Sequence, residues 1–598
     1  MLFFHKTTIS QARRVNFDEK YGRMRRIFEL FTVAVFWVGP LGAQNPEIAD
    51  VAARFGKGVT EEELSPDDVE SLEHLARHPV DINSGSGNTL SECGLFSSYQ
   101  IASLRDYIER HGPIMSRVEL QSVDGFSRDF VDSIYPFIRL GADGSLSDYR
   151  SVRKFSYEMA VRGGYKAALD TDVGHQASAS TKLKAELSDA ASFMFSYNKP
   201  YGESKFSFTN VGGSICWRHK YGKILAGDFH ARFGQGLCLW NTMYMNTLAS
   251  PSVLMRRPSG LSPSYSFTGT SSLTGMAADF VAGAWTMSIS AILPDLKSFV
   301  KESEQFEVMP AFSLQRTCRS GHVSLTHVMN ISSSRLIGVR IPTMRTSADF
   351  AICVRGVNLY GELLYDWVSV RPAGIAGLDF DVLEGFRLGL RAHYLPYSEE
   401  HGVVAAGEYV KGRHSLTFSA DAIYHPCNER YKQERYQADF RSEWTWTLFD
   451  WMTLKTRLTE RFRTWGERFR TDLRTDMSFG YGRFVSTLRL NLLKTSEVSA
   501  LGYIEAGYKS GNLSVYVREG AFLVDRWEDR IYVYERDAPG SFNVPAYYGR
   551  GVWTSLYLSL KIGRWGRLYA RASYLSYPFM EIKKPGKAEL KIVLSIRL

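Results

Sequence analysis

The most regular feature of the chain is strict alternation of apolar and polar positions, clearest in its last fifty residues. From Trp553 to Ile562, Leu556, Leu558, Leu560 and Ile562 fall on one face, and Tyr557, Ser559 and Lys561 on the other. From Arg567 to Tyr577, Leu568, Ala570 and Ala572 oppose Arg567, Tyr569, Arg571 and Ser573. From Lys587 to Leu598, Leu590, Ile592, Leu594, Ile596 and Leu598 oppose Lys591, Val593, Ser595 and Arg597. Side chains alternate across a strand, so each run is a ribbon with one apolar and one polar face. The same signal begins near Phe155 and includes Lys205 to Arg218, Lys223 to Phe233, Trp285 to Leu293, Val357 to Val368 and Arg435 to Leu448. Short glycine turns at Ala282-Gly283, Lys411-Gly412-Arg413, Tyr481-Gly482 and Gly563 to Gly566 predict antiparallel hairpins. No helical period interrupts the run, which excludes an α/β fold, and no blade-length repeat suggests a propeller. Aromatics near the ribbon ends and strands of about ten residues select a membrane barrel over a soluble sandwich. The expectation is roughly 16–24 strands, with Gly563 to Gly566 a periplasmic turn and Asp537 to Gly551 and Pro578 to Gly586 external loops.

The period changes upstream of the barrel. Ser65 reads as the N-cap of a helix with Pro66 at its first position, and helices follow over Thr89 to Glu92, Tyr99 to His111, Ser116 to Leu120 and Arg128 to Tyr135. Before these, Arg25-Arg26, an apolar run from Ile27 to Val38 and Leu41-Gly42-Ala43 describe a secretory signal cleaved after Ala43, with Met24 as its natural start. The chain therefore divides into a signal region at 1–43, a polar leader at 44–61, a small all-α domain at 62–140, a linker at 141–154 and a large antiparallel transmembrane β-barrel at 155–598.

Composition agrees with this division. The 598 residues are 44% hydrophobic and 13% aromatic, with 50 Gly against 20 Pro, and no run of about 20 uncharged apolar residues follows the signal region. A closed barrel is the alternative to helices that satisfies every backbone group inside a bilayer. The net charge of +9 falls to about +5 without residues 1–43, which permits an anionic partner without requiring one. The six cysteines show no CxxC or metal-ligand spacing and read as free thiols.

Within the helical domain, Val80-Asp81-Ile82-Asn83, Cys93-Gly94-Leu95-Phe96-Ser97, His111-Gly112-Pro113, Val118-Glu119-Leu120 and Asp124-Gly125-Phe126-Ser127 resemble the tandem helix-hairpin-helix of ComEA-type DNA-binding proteins. The resemblance covers Leu64 to Leu140, under a sixth of the chain. It implies double-stranded DNA as a partner during uptake or transport. Gly94, Leu95, Phe96, Ser97, Arg105, Arg117, Gly125, Phe126, Ser127 and Arg128 would then lie near phosphates. Two departures weigh the other way. The family's second hairpin glycine is replaced by Phe96 and Ser127, and the surrounding arginines are balanced by Asp106, Glu109, Glu119, Asp124, Asp129 and Asp132. The competing expectation is a non-enzymatic channel or scaffold whose helical module plugs the lumen or docks a periplasmic protein or lipoprotein.

In the barrel, the stretch from Gly227 to Leu237, together with Asp525-Arg526 and Arg530 to Glu535, resembles Bacteroidota outer-membrane barrels that carry an N-terminal helix-hairpin-helix. That resemblance implies outer-membrane lipid around the barrel and the helical domain in the periplasm. Asp228, His230 and Arg232 share one face under strict alternation and form a candidate lumen cluster, with Gly234 and Gly236 marking a bend. No nucleophile elbow, zinc-type histidine pair or phosphate loop is present, so the expectation is no catalytic residue, no metal and no cofactor.

Overall fold

The computed structural model describes residue 62, residues 66–83 and 87–141, and residues 155–598 apart from 169–174, 188–189, 204–206, 242–249, 267–271, 295–304, 335–337, 397–398, 429–430, 542, 581–584 and 598. The signal region, the polar leader and residues 142–154 of the linker lie outside the described residues.

The alternating segments build one closed antiparallel barrel of 24 strands, with an extra four-residue strand, Gly260–Pro263, inserted beside Gly222–Arg232. The ring closes where Lys587–Arg597 pairs with Phe155–Ala168, from Arg597 opposite Glu158 to Lys587 opposite Ala168. Its faces are the reverse of a soluble protein's. Phe193, Ile215, Ile224, Leu363, Leu490 and Ile592 point outward and are exposed, while Ser192, Ser214, Lys223, Glu362 and Arg489 of the same strands are buried inside. An apolar exterior over a polar interior is what a bilayer requires of a barrel. Exposed Tyr221, Trp285, Trp451, Tyr481 and Trp565 ring one end, and exposed Tyr165, Trp367, Tyr394, Tyr436 and Phe469 ring the other. These are the interfacial girdles.

The two ends differ in their connections. At one end Gly283, Gly412, Gly482 and Gly563 adopt φ near +60°, which lets two antiparallel strands join through a tight turn. At the other end the connections are longer, reaching residues 525–548 and 577–586. Short turns face the periplasm in outer-membrane barrels. The start of Phe155–Ala168 and the end of Lys587–Arg597 both lie at the short-turn end. Two sequence boundaries are corrected. The strand expected from Lys205 begins at Val211, after a 3-10 turn at Phe208–Asn210. Strands with weak alternation, such as Gly338–Val354 and Arg371–Leu383, were not marked by hydropathy because Ser, Thr, Gly and Arg occupy both faces.

The N-terminal module contains helices α1 (Pro66–Arg77), α2 (Gly87–Glu92), α3 (Ser98–His111), α4 (Arg117–Leu120) and α5 (Arg128–Ile134). A parallel pairing of Val80–Asp81 with Ile138–Arg139 joins its two ends. The turn between α2 and α3 pivots on Gly94 (φ +66°), and that between α4 and α5 on Gly125 (φ +84°). Ser97, Ser116 and Ser127 cap the helices that follow, and Ser97 with Gln100 forms a full capping box. Phe96, where the resemblance drawn from the sequence expects a glycine, is a core residue. Its ring packs at 5.9 Å from Phe126 and 6.4 Å from Phe130 among Leu95, Leu104, Leu120 and Ile134.

Candidate functional site in the barrel lumen

The module lies against inward-facing side chains of the barrel wall. Its acidic residues make the contacts. Glu92, at the end of α2, accepts from Lys223 at 2.7 Å and from Arg218 at 3.1 Å, and Lys223 also meets Asp279 at 3.0 Å. Glu70 of α1 pairs with Lys182. Glu73 accepts from the backbone N–H of Gly540 at 2.8 Å. Glu62 accepts from Arg474 at 2.9 Å and Arg489 at 2.7 Å, on strands more than four hundred positions downstream. Helix α1 explains the arrangement: Glu70, Glu73 and His74 repeat at three- and four-residue spacing along one face, while Leu72, Leu75 and Ala76 pack on the module core.

Two long connections from the opposite end also fold inward. In residues 525–548, Asp537 was expected on an external loop. Instead it sits inside, paired with Lys591 and 3.7 Å from Arg571, because inward-facing cations attract its charge. Beside it Arg571 donates to Glu535 at 2.7 Å and Arg536 to Glu505 at 2.8 Å. Ile531, Val533 and Tyr547 add an apolar cluster with Phe522 and Trp553. In the second, the connection that follows the strand Gly222–Arg232, Glu362 of the wall strand Val357–Asp366 accepts three backbone N–H groups: Gln235 at 2.7 Å, Leu237 at 3.0 Å and Cys238 at 3.3 Å. Gly234 (φ +59°) and Gly236 (φ +87°) shape this nest, and a Cβ on Gly234 would stand 2.7 Å from the Glu362 carboxylate. The bend expected at these glycines is thus a loop wrapped around a carboxylate.

The candidate cluster of Asp228, His230 and Arg232 lies where its strand bends. Gly227 (φ +96°) kinks the strand, and pairing with Val211–His219 ends there. Asp228 then accepts from the Gly213 N–H at 3.0 Å and the Thr274 hydroxyl at 2.6 Å. His230 Nδ1 lies 3.1 Å from the Asn241 amide. Arg232 is half-buried at the strand end. The arginines at 457, 461, 463 and 474 face inward and are paired with Glu443, Asp439, Gln437 and Glu62.

The residues expected near phosphates divide in two. In the first hairpin, Leu95 and Phe96 are buried, and the Leu95 carbonyl accepts from Arg257 of an in-folded loop at 2.9 Å. Gly94 approaches Ser259 of the same loop, and Ser97 is spent on its cap. Around the second hairpin, Gly125, Ser127 and Arg128 are exposed, but Phe126 is core. Arg117 pairs with Asp132 and lies over the Tyr135 ring at 5.1 Å, and Arg105 is exposed. These residues do not form one face: a barrel loop covers the first hairpin.

Burial alone would raise the carboxyls of Glu62 and Glu92. The adjacent Arg474 outweighs it for Glu62, which is held down to about 2, and Lys223 with Arg218 does so for Glu92. Burial, with Lys184 beside it, pushes the His74 imidazole down to about 3, and burial pushes the Cys93 thiol up to about 12. A depressed carboxyl contributes stability that is complete above its unfolded value and lost as pH falls through its folded one. Acidification from about pH 6.5, where an unfolded imidazole begins to take its proton, toward about pH 2 should therefore loosen the module from the wall while the barrel persists. Amide exchange over residues 66–141 measures this; exchange unchanged across that window would contradict the assignment.

The fold defines the class: a large outer-membrane β-barrel. No family model matches the chain, and no curated protein matches it. Among solved structures, the siderophore receptor PirA from Pseudomonas aeruginosa aligns over 75% of this chain and 81% of its own, at 9% identity and a TM-score of 0.39. The outer membrane protein OpdK from Pseudomonas aeruginosa aligns over 74% and 99%, at 10% identity and a TM-score of 0.27. The FrpB iron transporter from Neisseria meningitidis aligns over 74% and 81%, at 8% identity and a TM-score of 0.36.

Proposed function

We propose that the chain is a non-enzymatic, gated outer-membrane channel whose periplasmic helical module is its plug. Charge matching carries the reading: Glu62, Glu70 and Glu92 of the N-terminal part neutralise Arg474, Arg489, Lys182, Arg218 and Lys223 of the wall. A module built to grip phosphate would keep basic groups and hairpin backbone clear. Here acidic groups make the contacts, and Arg257 occupies the first hairpin. Passage of a solute requires the plug or the in-folded loops to move. Exposed Met115, Val118 and Tyr135 around α4 and α5 offer a periplasmic protein an apolar handle for that movement.

Planar-bilayer recording tests the reading. The full chain should stay at low conductance, and a chain lacking residues 62–141 should conduct about tenfold more or better, as an unplugged barrel of this size leaves an aqueous path. Equal conductance would contradict the plug. The same protein should not bind short duplex DNA at about 50 mM salt, where phosphate contacts are strongest. Salt-sensitive binding that falls when Arg117 and Arg128 become Ala would restore the DNA reading.

A further inference from the structure

His74 and His78 stand four residues apart on α1, on the side facing the wall, with their rings stacked at 4.8 Å. Glu186 of the wall strand Gln176–Leu187 reaches between them. One carboxylate oxygen lies 3.8 Å from His74 Nε2 and the other 3.7 Å from His78 Nδ1, and the three ligand atoms fall within 4.8 Å of one another. A tetrahedral ion with bonds of about 2.0–2.1 Å holds its ligand atoms about 3.4 Å apart; each imidazole stands within about half an ångström of that spacing from its own carboxylate oxygen, and because the two rings are nearly parallel, 19° apart, one must turn to bring both nitrogens onto one ion.

Three further observations point to a cation here. The Lys184 ammonium already sits at the site, on His74 Nε2 and 2.6 Å from Glu186. The other ring nitrogen of His78, Nε2, is buried without a hydrogen-bond partner and lies 4.0 Å from the Glu158 carboxylate, the outer group that commonly orients a ligating imidazole. His74 is stacked on its other side against Tyr265 at 4.4 Å, which fixes its ring plane. A cavity of about 60 Å³ borders His74, Lys184, Glu158, Glu70 and Lys182. It has room for a water beside His74 and for the ammonium to swing aside. With neutral imidazoles, Glu70, Glu158 and Glu186 exceed Lys182 and Lys184 by one negative charge, so the site favours an added cation.

We propose that His74 Nε2, His78 Nδ1 and Glu186 bind a divalent transition-metal ion of the zinc class, with the Lys184 ammonium its stand-in when the metal is absent. The ion staples α1 to the barrel wall, a role that rests on the module being the plug; the binding itself does not. His74 and His78, four residues apart, are a histidine pair that the sequence reading passed over, and the third ligand lies more than a hundred positions away.

The test uses the full chain in detergent, stripped with a chelator and titrated with Co²⁺ and then Zn²⁺. One Co²⁺ per chain should bind with the visible absorption of a tetrahedral nitrogen–oxygen site and be displaced by Zn²⁺. Binding should fall at least about 100-fold in His74→Ala/His78→Ala and about 10-fold in Glu158→Gln, and rise in Lys184→Met. Glu186→Gln, which keeps the side-chain shape, should weaken binding and guards against a misfolded double variant. Absent binding in the wild-type chain, or binding that the His74/His78 variant and Glu186→Gln leave unchanged, would overturn the site. Stoichiometric binding with conductance independent of the plug would uphold the site and sink the gating reading; no binding in a chain that opens on losing residues 62–141 would do the reverse.

Discussion

Replacing Glu92 by lysine should release the helical module from the barrel. Lys223 and Arg218 converge on this carboxylate, and the Lys223 side chain is only 3% exposed. Removing one partner of a buried ion pair costs about 3–5 kcal/mol, because the remaining charge stays buried without compensation. Glu92→Lys adds a third cation to the two already there, with only Asp279 nearby to offset them. The ratio of docked to released module should fall by about two to three powers of ten. Trypsin should then cut the module at exposed sites such as Arg105 and Arg110 much faster than in the native chain. Glu92→Gln, which can still accept a hydrogen bond, should fall between the two. Cleavage at the native rate in Glu92→Lys would mean that these pairs do not hold the module.

The second large effect belongs to Glu362. Replacing it by alanine removes the acceptor from three backbone N–H groups at once, on the loop formed by Gly234 to Cys238. Hydrogen bonds to a charged group are worth about 1.5–3 kcal/mol each and do not add fully, so a loss of about 3 kcal/mol or more is expected. Amide exchange at Gln235, Leu237 and Cys238 should accelerate about a hundredfold, with the strands on either side of Glu362 unchanged. Glu362→Gln should show a smaller effect, because one amide oxygen can serve both Gln235 and Leu237, which share Oε2. Unchanged exchange in Glu362→Ala would show that the loop is held by other contacts, such as Gln235 with Arg256.

The barrel was legible where alternation is strict. Leu556, Leu560, Leu590 and Ile592 are exposed on the outer face, while Arg571 and Lys591 of the same hairpin point inward to Glu535 and Asp537, as the period of two requires. The helices of the module were legible from their periodicity. The cap read in the sequence was Ser65; Ser97 with Gln100 and Ser127 are caps of the same local kind that the structure adds. What fills the lumen was not legible, because it depends on contacts between distant residues. Glu62 and Arg489 are separated by 427 positions, and Glu73 and Gly540 by 467. Two segments did announce themselves. Both Gly227 to Leu237 and Arg530 to Glu535 end in lumen contacts: Gln235, Leu237 and Cys238 wrap Glu362, and Glu535 meets Arg571. The acidic face of α1 was also visible, but an exposed charged face and one matched to a cationic wall look alike until the wall is closed.

Carbodiimide coupling in intact membranes tests the central claim, that the helical module occupies the lumen, most directly. The reagent joins a lysine and a carboxylate only where they already touch, and peptide mass spectrometry identifies the pair. The account expects Glu92 joined to Lys223 and Glu70 to Lys182, alongside the wall pair of Glu443 with Lys455, 2.9 Å apart, as a control. Recovery of the wall pair without either module pair would contradict it.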